Sequence, residues 1–234
     1  MQLVDVPGSA WADGWVTAWC GTFQRDGGVP PLARTVVVEH HPELDALVMS
    51  GTDGALMVST IVPLGDDLAS PEWGEVRESP PASTTVVWDP DALGLVLART
   101  VAKDAKADPD LRVRLTVGRA DGAAAPALDP SMERLVCVAA SPQLSVEFTA
   151  IDAPAPDWRG VMVDDPVSVG VTRIGVNPQI LARLAKIPGV AALDMAFTTR
   201  SSAVHVHVRG AVLPTRAVWM PVILDQSGTV DDQS

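Results

Sequence analysis

The chain has 234 residues, 47% of them apolar, with 29 acidic against 17 basic side chains and a net charge of −12. That length suits one large domain or two small ones with a buried core, and the apolar content excludes disorder outside the polar tail after Leu224. The charge has the wrong sign for a protein that grips DNA by neutralising phosphates, and no apolar run is long enough for a transmembrane helix.

A first strand is followed by Gly8-Ser9 and a segment in which Trp11, Trp15, Trp19 and Phe23 recur at every fourth position. With Val16 and Cys20 beside them they form one apolar stripe of an amphipathic helix, facing the core or presenting an aromatic surface to a partner. Gly27-Gly28 closes it. Strands are expected at 34–39, 46–50 and 55–62, the last two joined by Gly51-Thr52-Asp53-Gly54, a turn signal. Residues 65–83, rich in Pro, Gly, Asp and Ser, are expected to form a long loop.

A second unit opens at Thr84-Thr85-Val86-Val87, and Asp89-Pro90 supplies an N-cap and a proline at the first helical position. The helix expected at 90–106 carries Leu93, Val96, Leu97 and Val101 on one face, with Arg99, Lys103 and Lys106 on the next. Strands follow at 111–118, 134–140 and 144–151. A third unit repeats the scheme with a strand at 167–174, a helix at 178–187, and strands at 190–198, 203–209 and 217–224. The three copies share a pattern of elements more than a sequence. No unit of this size buries its hydrophobic face alone.

Catalytic signatures are missing. There is no phosphate-binding glycine loop, nucleophile elbow or zinc-protease motif. His205 and His207 share one face of a strand, which is half a metal site, but no ligand at suitable spacing completes it. With no tyrosine and few cations, an aromatic–basic stacking platform for nucleic acid is not expected. Cys20 and Cys137 lie in apolar segments; a disulfide is open to them, and two buried thiols in a reducing compartment are the expectation. The first residues lack a secretory signal, so a cytoplasmic protein without catalysis, cofactor or metal is expected.

The tail is more specific. Ile174-Gly175-Val176-Asn177 opens a helix, and a terminal strand carries Val218-Trp219-Met220-Pro221-Val222. This order resembles the C-terminal end of the bacterial DNA sliding clamp, the β subunit of the replicative polymerase. Three further stretches resemble that family. They are Val29-Pro30-Pro31-Leu32 with Ser50-Gly51-Thr52-Asp53-Gly54-Ala55-Leu56, Thr84-Thr85-Val86-Val87 leading into its helix, and Pro156-Asp157-Trp158-Arg159-Gly160-Val161-Met162. The last looks like the family's connector, with Trp in place of Tyr and Gly160 in place of a second Arg.

The resemblance implies an α+β clamp fold, with antiparallel sheets outside and helices on the inner face. It implies a full domain at 1–155, a connector at 156–165, half a domain at 166–225 and a tail at 226–234, in a short divergent member of the kind a phage could encode. The function implied is tethering a DNA polymerase to its template. Partners would be the polymerase and a clamp loader, engaged through a short apolar peptide motif, and duplex DNA held without sequence preference; no membrane is involved.

By motif match the peptide cleft is formed by Thr52, Gly54, Ala55 and Leu56, by Pro156 and Val161, and by Val218, Trp219, Met220 and Pro221. Ala55-Leu56 stand where the family has His-Arg, and together with Gly160 they remove cations from the cleft. The DNA-facing candidates are Arg99, Lys103 and Lys106 on one helix and Arg183 and Lys186 on another, with an ordinary solvated face as the alternative. The first helix departs from a DNA lining, with Asp13 and only Arg25 near its end. A lone half-domain leaves sheet edges unpaired and a helix face, expected to include Ile180 and Leu184, uncovered. A homo-oligomer, dimer or tetramer, is the remedy. Two other readings stay open: a clamp-fold adaptor that binds peptides without encircling DNA, and a structural virion or scaffold protein.

Overall fold

The computed structural model describes residues 2–22, 35–65, 69–88, 92–119, 134–142, 144–151, 157–162, 175–197 and 203–220. Phe23, Arg25, Pro156, Pro221, the Asp89-Pro90 cap, the 29–32 motif and the strand expected at 167–174 lie outside them.

The chain runs β1 (Gln2–Pro7), α1 (Gly8–Trp19), β2 (Thr35–His41), β3 (Ala46–Thr52) and β4 (Leu56–Pro63). After α2 (Trp73–Glu78), the same order returns as β5 (Ser83–Trp88), α3 (Ala92–Ala107), β6 (Arg112–Arg119), β7 (Arg134–Ala140) and β8 (Ser145–Ile151). A short helix α4 (Trp158–Val161) precedes α5 (Pro178–Leu184), β9 (Ala192–Phe197), β10 (Val204–Arg209) and β11 (Thr215–Trp219). Among the described residues eleven strands join one sheet in the order β1-β6-β7-β8-β5-β2-β3-β4-β11-β10-β9, and each pairing between them is antiparallel.

Side-chain alternation sends residues of each strand to opposite faces. On the inner face Val36, Val38, Leu47, Met49 and Val62 pack with Trp11 and Trp15 of α1 and with Leu97 and Val101 of α3. Further along the same face Leu56, Val58, Val206, Ala217 and Trp219 meet Ile180, Leu184 and Ile187 of the α5 segment. Trp11 and Trp15 of the α1 stripe are therefore core, their rings stacked at 5.3 Å, while Trp19 is half-buried. The helix presses so closely on the sheet that backbone meets backbone. A Cβ on Gly51 would strike the Ala18 carbonyl, and one on Gly21 the Gly51 carbonyl. Only glycine permits that approach.

The outer face carries a third cluster. Ala46, Val48, Ile61 and Val218 pack beneath Trp73 and Val76 of α2 and beneath Trp158 and Met162. The long loop expected at 65–83 thus contains a helix. It is six residues long and starts on a capping box in which Glu72 and Glu75 each accept the other's backbone N–H. Burial of Trp73 against Trp158, edge to face at 5.8 Å, holds it down where intrinsic propensity would not. No helix among the described residues is long and apolar enough to cross a membrane.

Candidate peptide cleft and nucleic-acid face

The Thr52–Leu56 turn is rigid because its own side chains satisfy its backbone. Asp53 Oδ1 accepts from the Ala55 and Leu56 amides at 2.9 and 2.7 Å, and Thr52 Oγ1 donates to the Leu56 carbonyl at 3.0 Å while accepting from Gly54 N. Gly54 takes φ of +84°, open to glycine without a steric cost. The end of β11 is tied to this turn, as the Met220 amide donates to the Ala55 carbonyl at 3.0 Å.

The 157–162 segment is held to the sheet through a buried carboxylate. Glu39 on β2 accepts from the Trp158 indole at 2.9 Å and from Arg159 at 3.0 Å, with a second Arg159 nitrogen at 2.8 Å from its other oxygen. The Arg159 guanidinium also lies over the Trp158 ring, 4.4 Å from its centroid. Burial alone would raise the Glu39 pKa; hydrogen bonds from His41, Arg159 and Trp158, with the Arg159 charge, hold it below the usual carboxylate range. Trp158 and Arg159 of the connector motif are thus its anchor.

Strand register then divides the cleft candidates between the two faces. Val218 pairs with Met57 and Trp219 with Leu56. Val218 belongs to the outer cluster with Met162 and Trp158, and Met57 packs against it. Leu56 and Trp219 point the other way, each 1% exposed in the core over α5, and this corrects their expected place in an open cleft. Val161 is 44% exposed and Met220 52%, large apolar side chains left in solvent. Gly54 and Ala55 are exposed at the turn, and Thr52 is buried beneath it. The structure thus ties the Thr52, Gly54 and Ala55 turn to Met220 at the end of β11, and groups Val218 with Met57, Trp158 and Met162 in the outer cluster. Alternation along β4 was the signal for Met57. A hollow of about 550 Å³ lies beside Trp73 at the other end of β11, walled by Glu72, His207, Pro214 and Arg216.

The cations part company as well. Arg99, Lys103 and Lys106 are exposed on α3, and Lys186 is exposed with its ammonium 5.8 Å from the Trp19 ring centroid. Arg183 does not join them, which corrects its expected role. Its guanidinium pairs with Asp53 at 2.5 Å and donates to the Cys20 and Gly21 carbonyls at 2.9 and 2.6 Å. It ties the C-terminus of α1, where carbonyls lack helical partners, to the Thr-Asp-Gly turn. On α1, burial raises the Asp13 pKa, offset in part by Lys106.

Cys20 is buried and free, its thiol pushed up to about 12 by desolvation against the opposing charges of Lys186 and Arg183. The pKa values of His205 and His207 are both lowered, first by burial and then by neighbouring arginines, Arg216 for His205, Arg209 and Arg216 for His207. No group of three potential metal ligands occurs among the described residues.

The backbone is similar to several solved structures. The DNA polymerase III β subunit of Pseudomonas aeruginosa superposes with a TM-score of 0.62 at 13% identity, covering 96% of this chain and 67% of that one. The fold is that of a bacterial sliding clamp. A second P. aeruginosa sliding clamp, with ligand, gives 0.61 at 13% identity over 95% of this chain. The Helicobacter pylori β clamp bound to a DNA ligase peptide gives 0.58 at 11% identity. The chain spans about two thirds of the length of these clamps. No family model matches the sequence, and no curated protein matches it.

Proposed function

We propose that the chain is a sliding-clamp-like processivity factor, holding a DNA polymerase and other clamp-motif proteins on duplex DNA without catalysis of its own. It would comprise a full clamp domain at 1–155 and a half at 166–225, linked through the connector. The observation that carries this reading is the tie between the Thr-Asp-Gly turn and the end of β11, with Met220 exposed there and Val161 exposed on α4, whose Trp158 shares the outer cluster with Val218. A recognition surface for a short apolar peptide needs such walls with a few backbone groups at its rim. The clamp fold supports the same reading, and one clamp of that fold is bound to a ligase peptide.

Met220→Ala with Val161→Ala tests the cleft. Both side chains are exposed, so the fold should survive, and each truncation removes about 1–3 kcal/mol of apolar contact if the ligand buries it. Fluorescence polarisation with the ligase-derived peptide should show an affinity loss of about tenfold or more. Wild-type affinity in the folded double variant would place the peptide elsewhere.

The DNA face rests on α3, whose three exposed cations stand out on an acidic chain. In Arg99→Glu with Lys103→Glu, retention on circular duplex DNA should fall while peptide binding is unchanged. The salt slope should flatten by about 0.9 per lost phosphate contact. The adaptor reading is favoured by a different observation: α1 offers no exposed cation, and Arg183 is engaged internally. DNA retention unaffected by the double reversal at low salt would select the adaptor.

A further inference from the structure

The first two units hold each other in a reciprocal way. The opening strand of each pairs with the second strand of the other, β1 with β6 and β5 with β2, and α1 and α3 pack together over one core. Exchanging the units maps these two pairings onto each other, while the β5–β8 pairing has no β1–β4 counterpart among the described residues. This internal two-fold covers α1 so fully that nearly every residue from Gly8 to Ala18 is buried or half-buried. It also leaves β2 buried along almost its whole length.

The third unit repeats α1-β2-β3-β4 as α5-β9-β10-β11, and its last strand extends the sheet from β4. Its counterpart of β2 is β9. That strand pairs with β10 on one side and, among the described residues, with nothing on the other. None of its six residues is fully buried, although Leu193, Met195 and Phe197 are apolar. Its helix, α5, turns Ile180 and Leu184 into the core and keeps Ala182 and Ala185 exposed. That corrects the expected interface position of Ile180 and Leu184, whose replacement by Asp would unfold the unit before testing any contact.

An open strand edge beside an uncovered helix is what each of the first two units presents to the other. We propose that the third unit is completed by the third unit of a second copy of this chain, related by a two-fold axis. Helix α5 packs on its symmetry mate, and the open edge of β9 receives a strand of the partner. The occupant follows from the chain itself, which already pairs two such units in this manner. The contact is isologous, so a residue near the axis meets its own copy. A strand edge with no partner among the described residues, beside half-exposed Leu193, Met195 and Phe197, is covered by the same step. This assembly goes beyond the DNA and peptide roles and is measured without either ligand.

Sedimentation velocity of the full chain at micromolar concentration should give an even-numbered assembly built on a dimer. Ala182→Glu with Ala185→Glu, at exposed helix positions, should yield a folded monomer by circular dichroism and sedimentation. Arg99→Glu with Lys103→Glu should leave the dimer intact. Ala185→Cys should crosslink to a covalent dimer on oxidation. A monomeric wild-type chain across the micromolar range would overturn the proposal. So would an assembly that persists in the α5 double variant.

Discussion

Replacing Arg183 with alanine is expected to cost about 3–5 kcal/mol of folding stability, whatever it does to DNA retention. The guanidinium is 12% exposed and its partner Asp53 5%. Removing it strands a buried carboxylate and withdraws the donors to the Cys20 and Gly21 carbonyls. Thermal unfolding should move down by roughly 10 °C for a chain of this size. Arg183→Lys should recover only part of the loss, because an ammonium cannot span three acceptors held in a fixed fork. Unchanged melting in Arg183→Ala would mean that the side chain is free in solution and would return it to the candidate DNA face.

Trp158→Ala is expected to cost a similar amount, about 3–5 kcal/mol for a fully buried indole. The loss should also show in the pH dependence of stability, because the indole is a donor to Glu39. The folded-state pKa of Glu39 is lowered. Its contribution is therefore present above the unfolded value of about 4.3 and disappears as pH falls through the folded value. Urea unfolding from neutral pH to pH 3 should show this acid-side decline in the wild type and a shallower one in Glu39→Gln. Equal slopes would show that the carboxylate is not the anchor of the connector.

Both predictions concern contacts that span large sequence distances, and that is where the sequence was least legible. The repeated order of strands and helices followed from alternation and helical spacing, since those periods are local. The helix at Trp73–Glu78 did not, because it is one and a half turns long, lies among prolines and serines, and is stabilised by Trp158 far along the chain. Arg183 looked like a surface cation because its charge is visible in the sequence and its partner, 130 positions away, is not. Leu56 and Trp219 were assigned to the cleft by motif. Counting alternate positions from Val218 would have turned both toward the helices. Glu39, in an apolar strand, was the unread signal: a lone buried carboxylate requires donors, and the connector supplies them.

The third unit is fastened to the rest of the sheet on two levels. Between β4 and β11, where the third unit joins, five residue pairs are in register. Behind that ladder Arg183 of α5 grips Asp53 and the Cys20 and Gly21 carbonyls, so strand pairing and helix anchoring at this junction should give way together and not one after the other.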